Sequence, residues 1–233
     1  FGLQRFRLDY DGQKTLSFDK ESVFEFKIPR YAELLNDTYI VLTLPDIWSP
    51  IFDCASNNVT ATKNNYIPYQ FQWNKNLGAS MINRITIHSG GNILSQYSGE
   101  WLYNSIERDD TGKKELWNRM IGNEPRLYDP ASVNGGIYPN ACYDANNVNG
   151  CEPSIKGQKL YIPLMAWFCN NSKLALPLIA LQYQEVYIRI EFKPIKDYFT
   201  IMDIPPSVNL KDIEDVFQNY NTNEIKGAWP NSI

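Results

Sequence analysis

Residues 186–192 read Val-Tyr-Ile-Arg-Ile-Glu-Phe, with Val186, Ile188, Ile190 and Phe192 at alternate positions and Tyr187, Arg189 and Glu191 between them. A period of two is the pitch of a pleated strand, so a chain built from such runs buries one face of a sheet and wets the other. The pattern recurs. Phe24, Phe26 and Ile28 alternate with Glu25 and Lys27 up to Pro29, and Phe6, Leu8 and Tyr10 alternate with Arg5, Arg7 and Asp9. The latter run meets Asp11-Gly12, a turn signal, before Leu16 and Phe18 resume the period. Ile85 and Ile87 lead into Ser89-Gly90-Gly91-Asn92, and Ile93 to Tyr97 completes a predicted hairpin around the two glycines. The continuous apolar run Tyr39 to Leu44 predicts a strand buried on both faces.

Eight strands are predicted in all: Arg5–Tyr10, Leu16–Ile28, Tyr39–Leu44, Met81–His88, Ile93–Tyr97, Leu160–Phe168, Leu176–Leu181 and Glu185–Phe192. Eight antiparallel strands make a jelly roll, so the predicted fold class is all-β, with two long loop insertions and short helices. The insertions, Asp46–Ser80 and 122–158, keep no period and are rich in Asn, Gly and Pro. In the B-to-I lettering of a jelly roll they are the D–E and F–G connections, which leave the barrel at one end. Two helices are predicted between them. Ser98 caps one that buries Trp101, Leu102 and Ile106, and Thr111 caps another that buries Leu116, Trp117, Met120 and Ile121. After Pro194 the pattern decays, so residues 1–194 are assigned to the barrel and 195–233 to a linker or insertion.

Composition removes most chemistry. The 233 residues contain one histidine, His88, which leaves neither a multi-histidine metal site nor a Ser/His/Asp relay without it. Cupin-type metal enzymes of jelly-roll shape fail on that count. Four cysteines, Cys54, Cys142, Cys151 and Cys169, form no CxxC pair; they read as reduced thiols, with a Cys142–Cys151 bridge as the alternative. Twenty-two basic against 26 acidic residues give a net charge of -4, with no overall positive field to hold nucleic acid. No run of 18 apolar residues is present to span a bilayer. No cofactor or metal is expected.

Local strings carry a resemblance. Ile28-Pro29-Arg30-Tyr31 to Asp37-Thr38-Tyr39, Leu44-Pro45-Asp46-Ile47-Trp48, Trp73, Ile82 to Ile87, and Gly99-Glu100-Trp101-Leu102 resemble the first jelly roll of the major capsid proteins of nucleocytoplasmic large DNA viruses, the giant viruses. The string Leu174 to Val186 resembles that family more closely still. The likeness runs from about residue 3 to 193 and spares both insertions. It implies the first half of a double jelly roll, with three copies forming a pseudo-hexagonal capsomer of an icosahedral virion and the insertions forming outward towers. It also implies contacts with neighbouring capsomers and minor capsid proteins, a place in the capsid shell, and assembly in the host cytoplasm. The N-terminal segment and second barrel of that family are not in this sequence, so the chain is expected to be an excised portion or a single-barrel relative.

The competing readings are chemical or carbohydrate-binding. Asp109-Asp110, or Glu100 with Glu107, can be cast as a glycosidase acid and base, but adjacent carboxylates at helix ends are ordinarily solvated or capping, and no enzyme is expected. His88 ends a strand beside a glycine turn and reads as a surface residue. Phe52, Tyr66, Tyr69, Phe71 and Trp73 in the first insertion either stack on sugars, as in a lectin-like module, or form that loop's own core. Of the glycosylation triplets at Asn36, Asn58 and Asn170, only Asn58 lies in an outer loop. Trp48, Trp73, Trp101, Trp117 and Met120 are the candidate subunit contacts, because two short helices and a long loop carry more apolar surface than they readily bury alone.

Overall fold

The computed structural model describes residues 2–48, 51–53, 70–109, 112–136, 138–139, 141–143, 153–181 and 183–202. Its strands are β1 (Ser22–Lys27), β2 (Leu34–Leu35), β3 (Tyr39–Thr43), β4 (Ile51–Asp53), β5 (Gln70–Trp73), β6 (Ile82–Ser89), β7 (Asn92–Tyr97), β8 (Ala141–Tyr143), β9 (Lys159–Pro163), β10 (Leu176–Pro177), β11 (Val186–Phe192) and β12 (Phe199–Met202). The helices are α1 (Leu77–Ser80), α2 (Gly99–Asp109), α3 (Lys114–Ile121), α4 (Pro125–Tyr128), α5 (Pro130–Val133) and α6 (Trp167–Asn170).

The alternating sequences make the main sheet, ordered β1-β11-β6-β7 with every neighbour antiparallel. Phe24, Ile85, Ile87, Ile188, Ile190 and Phe192 turn inward and are all less than a tenth exposed, while Glu25, Lys27, Arg84 and Arg189 face water. Opposite this sheet, β3 pairs with β9 in a two-stranded ribbon whose Leu160 and Ile162 join the same core. Two layers around one apolar centre is the arrangement a period-two chain demands. Burial of that centre, at about 25 cal/mol per Å² of apolar surface, dominates its stability.

Local chemistry sets the connections. Gly90 and Gly91, with φ of 56° and 86°, close the two-residue turn between β6 and β7, where both residues must be left-handed. The Ser98 hydroxyl accepts from the Trp101 amide at 3.3 Å and caps α2 as predicted. Helix α3 ends at Gly122, φ 76°, and the Asn123 amide returns to the Asn118 carbonyl at 2.7 Å. Thr111 lies outside the described residues.

Several expectations are corrected. Arg5–Tyr10 forms no strand: among the described residues no backbone–backbone hydrogen bond engages 2–10, and the segment is held by ring contacts, Phe6 at 5.4 Å from Tyr31 and Tyr10 at 5.0 Å from Phe24 and 5.7 Å from Phe26. Alternation is a local property, whereas a strand exists only where an edge receives it. The predicted strand Leu16–Ile28 shortens to β1. Strand β3 is exposed on one face, with Tyr39 at 47% and Val41 at 44%, because its two-stranded ribbon has the core on one side alone. The predicted strand Leu160–Phe168 stops at Pro163, and Met165, at φ 52°, turns the chain into α6. Leu176–Leu181 is a two-residue strand followed by a 3-10 turn over Leu178–Leu181.

The folded body also continues beyond Pro194. Strand β12 pairs antiparallel with β5, Phe199 stacks on Phe71 at 5.0 Å, and Tyr198, 1% exposed, donates its hydroxyl toward the carbonyls of Met81 and Lys193.

Candidate assembly surface

The two insertions, irregular in sequence, contain structure and meet each other. Strand β4 of the first pairs in parallel with β8 of the second. Ile47 bridges to Ile155, and the buried Tyr138 donates its hydroxyl to the Phe71 carbonyl at 2.8 Å. Lys75 sits 5.0 Å above the Tyr128 ring. Pro125 and Pro130 open α4 and α5 at first-turn positions, where a missing N–H costs nothing, and Asp129 caps α5 through the Ser132 amide. The segments predicted as separate loops therefore share hydrogen bonds, which is how long insertions repay their ordering entropy.

The candidate contact residues fall into different environments. Trp48 is 44% exposed, one residue beyond the Ile47 bridge. Trp73 is 6% exposed, its ring 4.9 Å from Phe71 and 6.5 Å from Phe199, and its buried indole N–H has no acceptor among the described residues. It belongs to the core of this chain. On α2, Leu102 and Ile106 are buried as expected, but Trp101 stays 45% exposed; on α3, Ile121 is buried, Trp117 and Met120 are half-buried, and Leu116 is 56% exposed. A helix lying on a core buries one stripe, so the flanking residues Trp101 on α2 and Leu116 on α3 stand at its margin. Asn58, Tyr66 and Tyr69 lie outside the described residues, as do the side chains of Phe52 and Asp109, Asp110 as a whole, and the proposed Cys142–Cys151 bridge.

Trp101 lies beside a feature that the sequence did not single out. An open groove of about 610 Å³ runs along the second half of β7, lined by Gln96, Tyr97, Ser98 and Trp101 on one side and Met165 and Trp167 on the other. Tyr97 packs 5.0 Å from Trp101 and donates its hydroxyl to the Leu164 carbonyl, and burial pushes its phenol well above the usual tyrosine range. The neighbouring Cys169 thiol is likewise raised by burial, and its sulfur lies 3.8 Å from the Asn36 carbonyl. It is a poor nucleophile there. The left-handed Met165 that shapes the groove carries no glycine signal, so periodicity alone could not find it.

Several charged residues on the other faces form ordinary pairs. Glu107 is held by Lys114, whose hydrogen bond lowers its pKa, the opposite of what a general acid requires. His88 meets Glu25 at 3.0 Å and stacks on Tyr187 on the wet face of the main sheet. Glu185 bridges Lys27 and the Tyr187 hydroxyl on that same face, and both contacts lower its pKa.

Comparison with known proteins agrees with this architecture. A family model described as the major capsid protein N-terminus matches residues 11–224. Probable capsid protein 4 of Acanthamoeba polyphaga mimivirus is 31% identical over 199 residues, covering 85% of this chain and 32% of that protein. The major capsid protein of Phaeocystis pouchetii virus is 31% identical over 176 residues, covering 73% and 31% respectively. The chain thus spans about a third of the length of the curated relatives it matches. Among solved structures, the Faustovirus major capsid protein aligns with a TM-score of 0.54 at 13% identity, over 82% of this chain and 42% of that one, a likeness of fold. The fold is that of viral jelly-roll capsid proteins, sheet-rich with short helices, and the chain belongs to the major capsid protein N-terminus family.

Proposed function

We propose that this chain is the first eight-stranded barrel of a capsid protein that assembles without chemistry into homotrimeric, pseudo-hexagonal capsomers of an icosahedral large DNA virus. The family match over residues 11–224 carries the reading. The capsid names of the relatives and the interlocked insertions support it. Barrel walls supply rigidity, and the joined insertions supply an outward body that neighbouring copies hold. Trp48, Trp101, Trp117 and Met120 are the proposed subunit contacts, with Trp73 bracing the loop from within. Neighbouring capsomers and minor capsid proteins are the further partners. Asn58, in the first insertion of the sequence, is the proposed point of glycan attachment. Residues 1–194 are the proposed barrel, with β12 packed onto its body, and 195–233 the proposed linker or insertion toward a second barrel, of which residues 203–233 lie outside the described residues. Assembly takes place in the host cytoplasm, and the product resides in the capsid shell.

Light scattering and negative-stain microscopy of the full-length protein test this reading. Hexagonal trimers are the expected particles. A stable monomer at micromolar concentration, with both insertions open to protease, refutes it.

A further inference from the structure

The main sheet has two edges, and they are treated differently. At one, β1 carries Glu25 and Lys27, and Tyr10 packs across Phe24 and Phe26. At the other, β7 reads Asn-Ile-Leu-Ser-Gln-Tyr, six residues with no charge and no proline, and no strand among the described residues pairs with its outer side. Ile93 is 62% exposed there and Leu94 48%. An open edge without charge, proline or cover is a template for another strand. The groove walled by Trp101 and Trp167 continues outward from it.

The same chain contains an unpaired segment with the sequence of a strand. In residues 3–8, Leu-Gln-Arg-Phe-Arg-Leu, Phe6 and Leu8 alternate with Arg5 and Arg7 while Leu3 falls on the arginines' side, and no backbone–backbone hydrogen bond among the described residues engages them. Leu3 is 82% exposed, and Arg5 and Arg7 point to water. At about 3.3 Å per residue, these six residues and the six of β7 each extend about 20 Å. Their own body holds them away from that edge, since Phe6 packs 5.4 Å from Tyr31 and Tyr10 rests on β1.

Resting on the reading that copies of this protein assemble together, we propose that residues 3–8 of one copy add as a fifth strand to β7 of a second copy. Main-chain hydrogen bonds supply the pairing, and Leu3 enters the Trp101/Trp167 groove. The arginines of the arm meet the exposed Glu100 in the first turn of α2, beside that groove. Arm and edge lie at opposite sides of the sheet, so the contact is head-to-tail, the kind that closes into a ring.

The test uses the full-length protein with a photoreactive benzophenone side chain at residue 5, assembled from an equal mixture of heavy-isotope and normal chains. Irradiation is expected to give adducts within residues 92–101, about half of them joining a heavy to a light chain. A second measurement uses the double variant Leu3→Asp, Leu8→Asp. Amides of β7 should exchange about ten-fold faster than in the parent, with the melting temperature of the body unchanged. Adducts confined to single chains, or mapping elsewhere, overturn the proposal, as does unchanged β7 exchange in the variant. Trimers that form with either of those results refute the arm exchange and leave the capsomer reading standing, whereas monomers refute both.

Discussion

Gly99 opens α2 at a place where the backbone of another element is almost in contact. A Cβ added there would lie 1.9 Å from the Ala79 carbonyl oxygen and 2.6 Å from that of Ile82. The first distance falls about 1.5 Å short of the 3.4 Å at which ordinary contact begins, and both obstacles are main chain, which cannot rotate away. Gly99→Ala therefore has to push α2 off the segment joining α1 to β6, loosening Leu102 and Ile106 in the core. Overpacking of this kind costs about 1–3 kcal/mol, and the rigid obstacles place this case at the upper end. The better helix propensity of alanine recovers less than about 1 kcal/mol at a first-turn position. The net loss of about 2 kcal/mol corresponds to a fall of about 4–8 °C in Tm for a body of this size. Thermal and urea melts followed by tryptophan fluorescence measure it. Gly135→Ala is the control: its Cβ has open space but its φ is 69°, so only the smaller backbone strain of about 1 kcal/mol applies. If Gly99→Ala melts at or above the parent temperature, the close approach of α2 is wrong.

Three further outcomes are expected. Ser98→Ala removes the cap on α2 and should cost about 1 kcal/mol in a urea melt, while Ser98→Asp retains most of it. Tyr198→Phe leaves the Met81 and Lys193 carbonyls without their phenol donor and should cost about 1–2 kcal/mol at neutral pH. Burial raises the Tyr198 pKa above 10, so the parent holds this contribution below pH 10 and loses it as pH rises further; a plot of Tm from pH 8 to 11 should be flatter for the variant. Trp73→Ala should destabilise by about 3–5 kcal/mol by opening a cavity against Phe71 and Phe199, with glycan-array signal at background for parent and variant alike; sugar binding lost on substitution would instead revive the lectin alternative.

Much of the body was legible because its signals are local. The alternation of Val186–Phe192, the two glycines after Ser89, and Ser98 before an amphipathic run each specify geometry within a few residues, and β11, the β6–β7 hairpin and α2 appear where those signals stand. Family membership was legible in the strings around Ile28, Gly99 and Leu174, because a shared fold preserves the residues that pack its strands. What depends on distant partners was not legible. The Arg5–Tyr10 alternation is as regular as that of β1, yet β1 found β11 to pair with and the arm found nothing among the described residues. β5 and β8 lie in stretches without period and exist because β12 and β4 supply their hydrogen bonds. Trp73 and Trp101 looked alike as candidate contacts. Tertiary structure separated them, since the return of Phe199 encloses the first, while the left-handed turn at Met165 leaves the second at the mouth of a groove. Periodicity fixes which face of an element is apolar, but burial is decided by what the rest of the chain brings against that face.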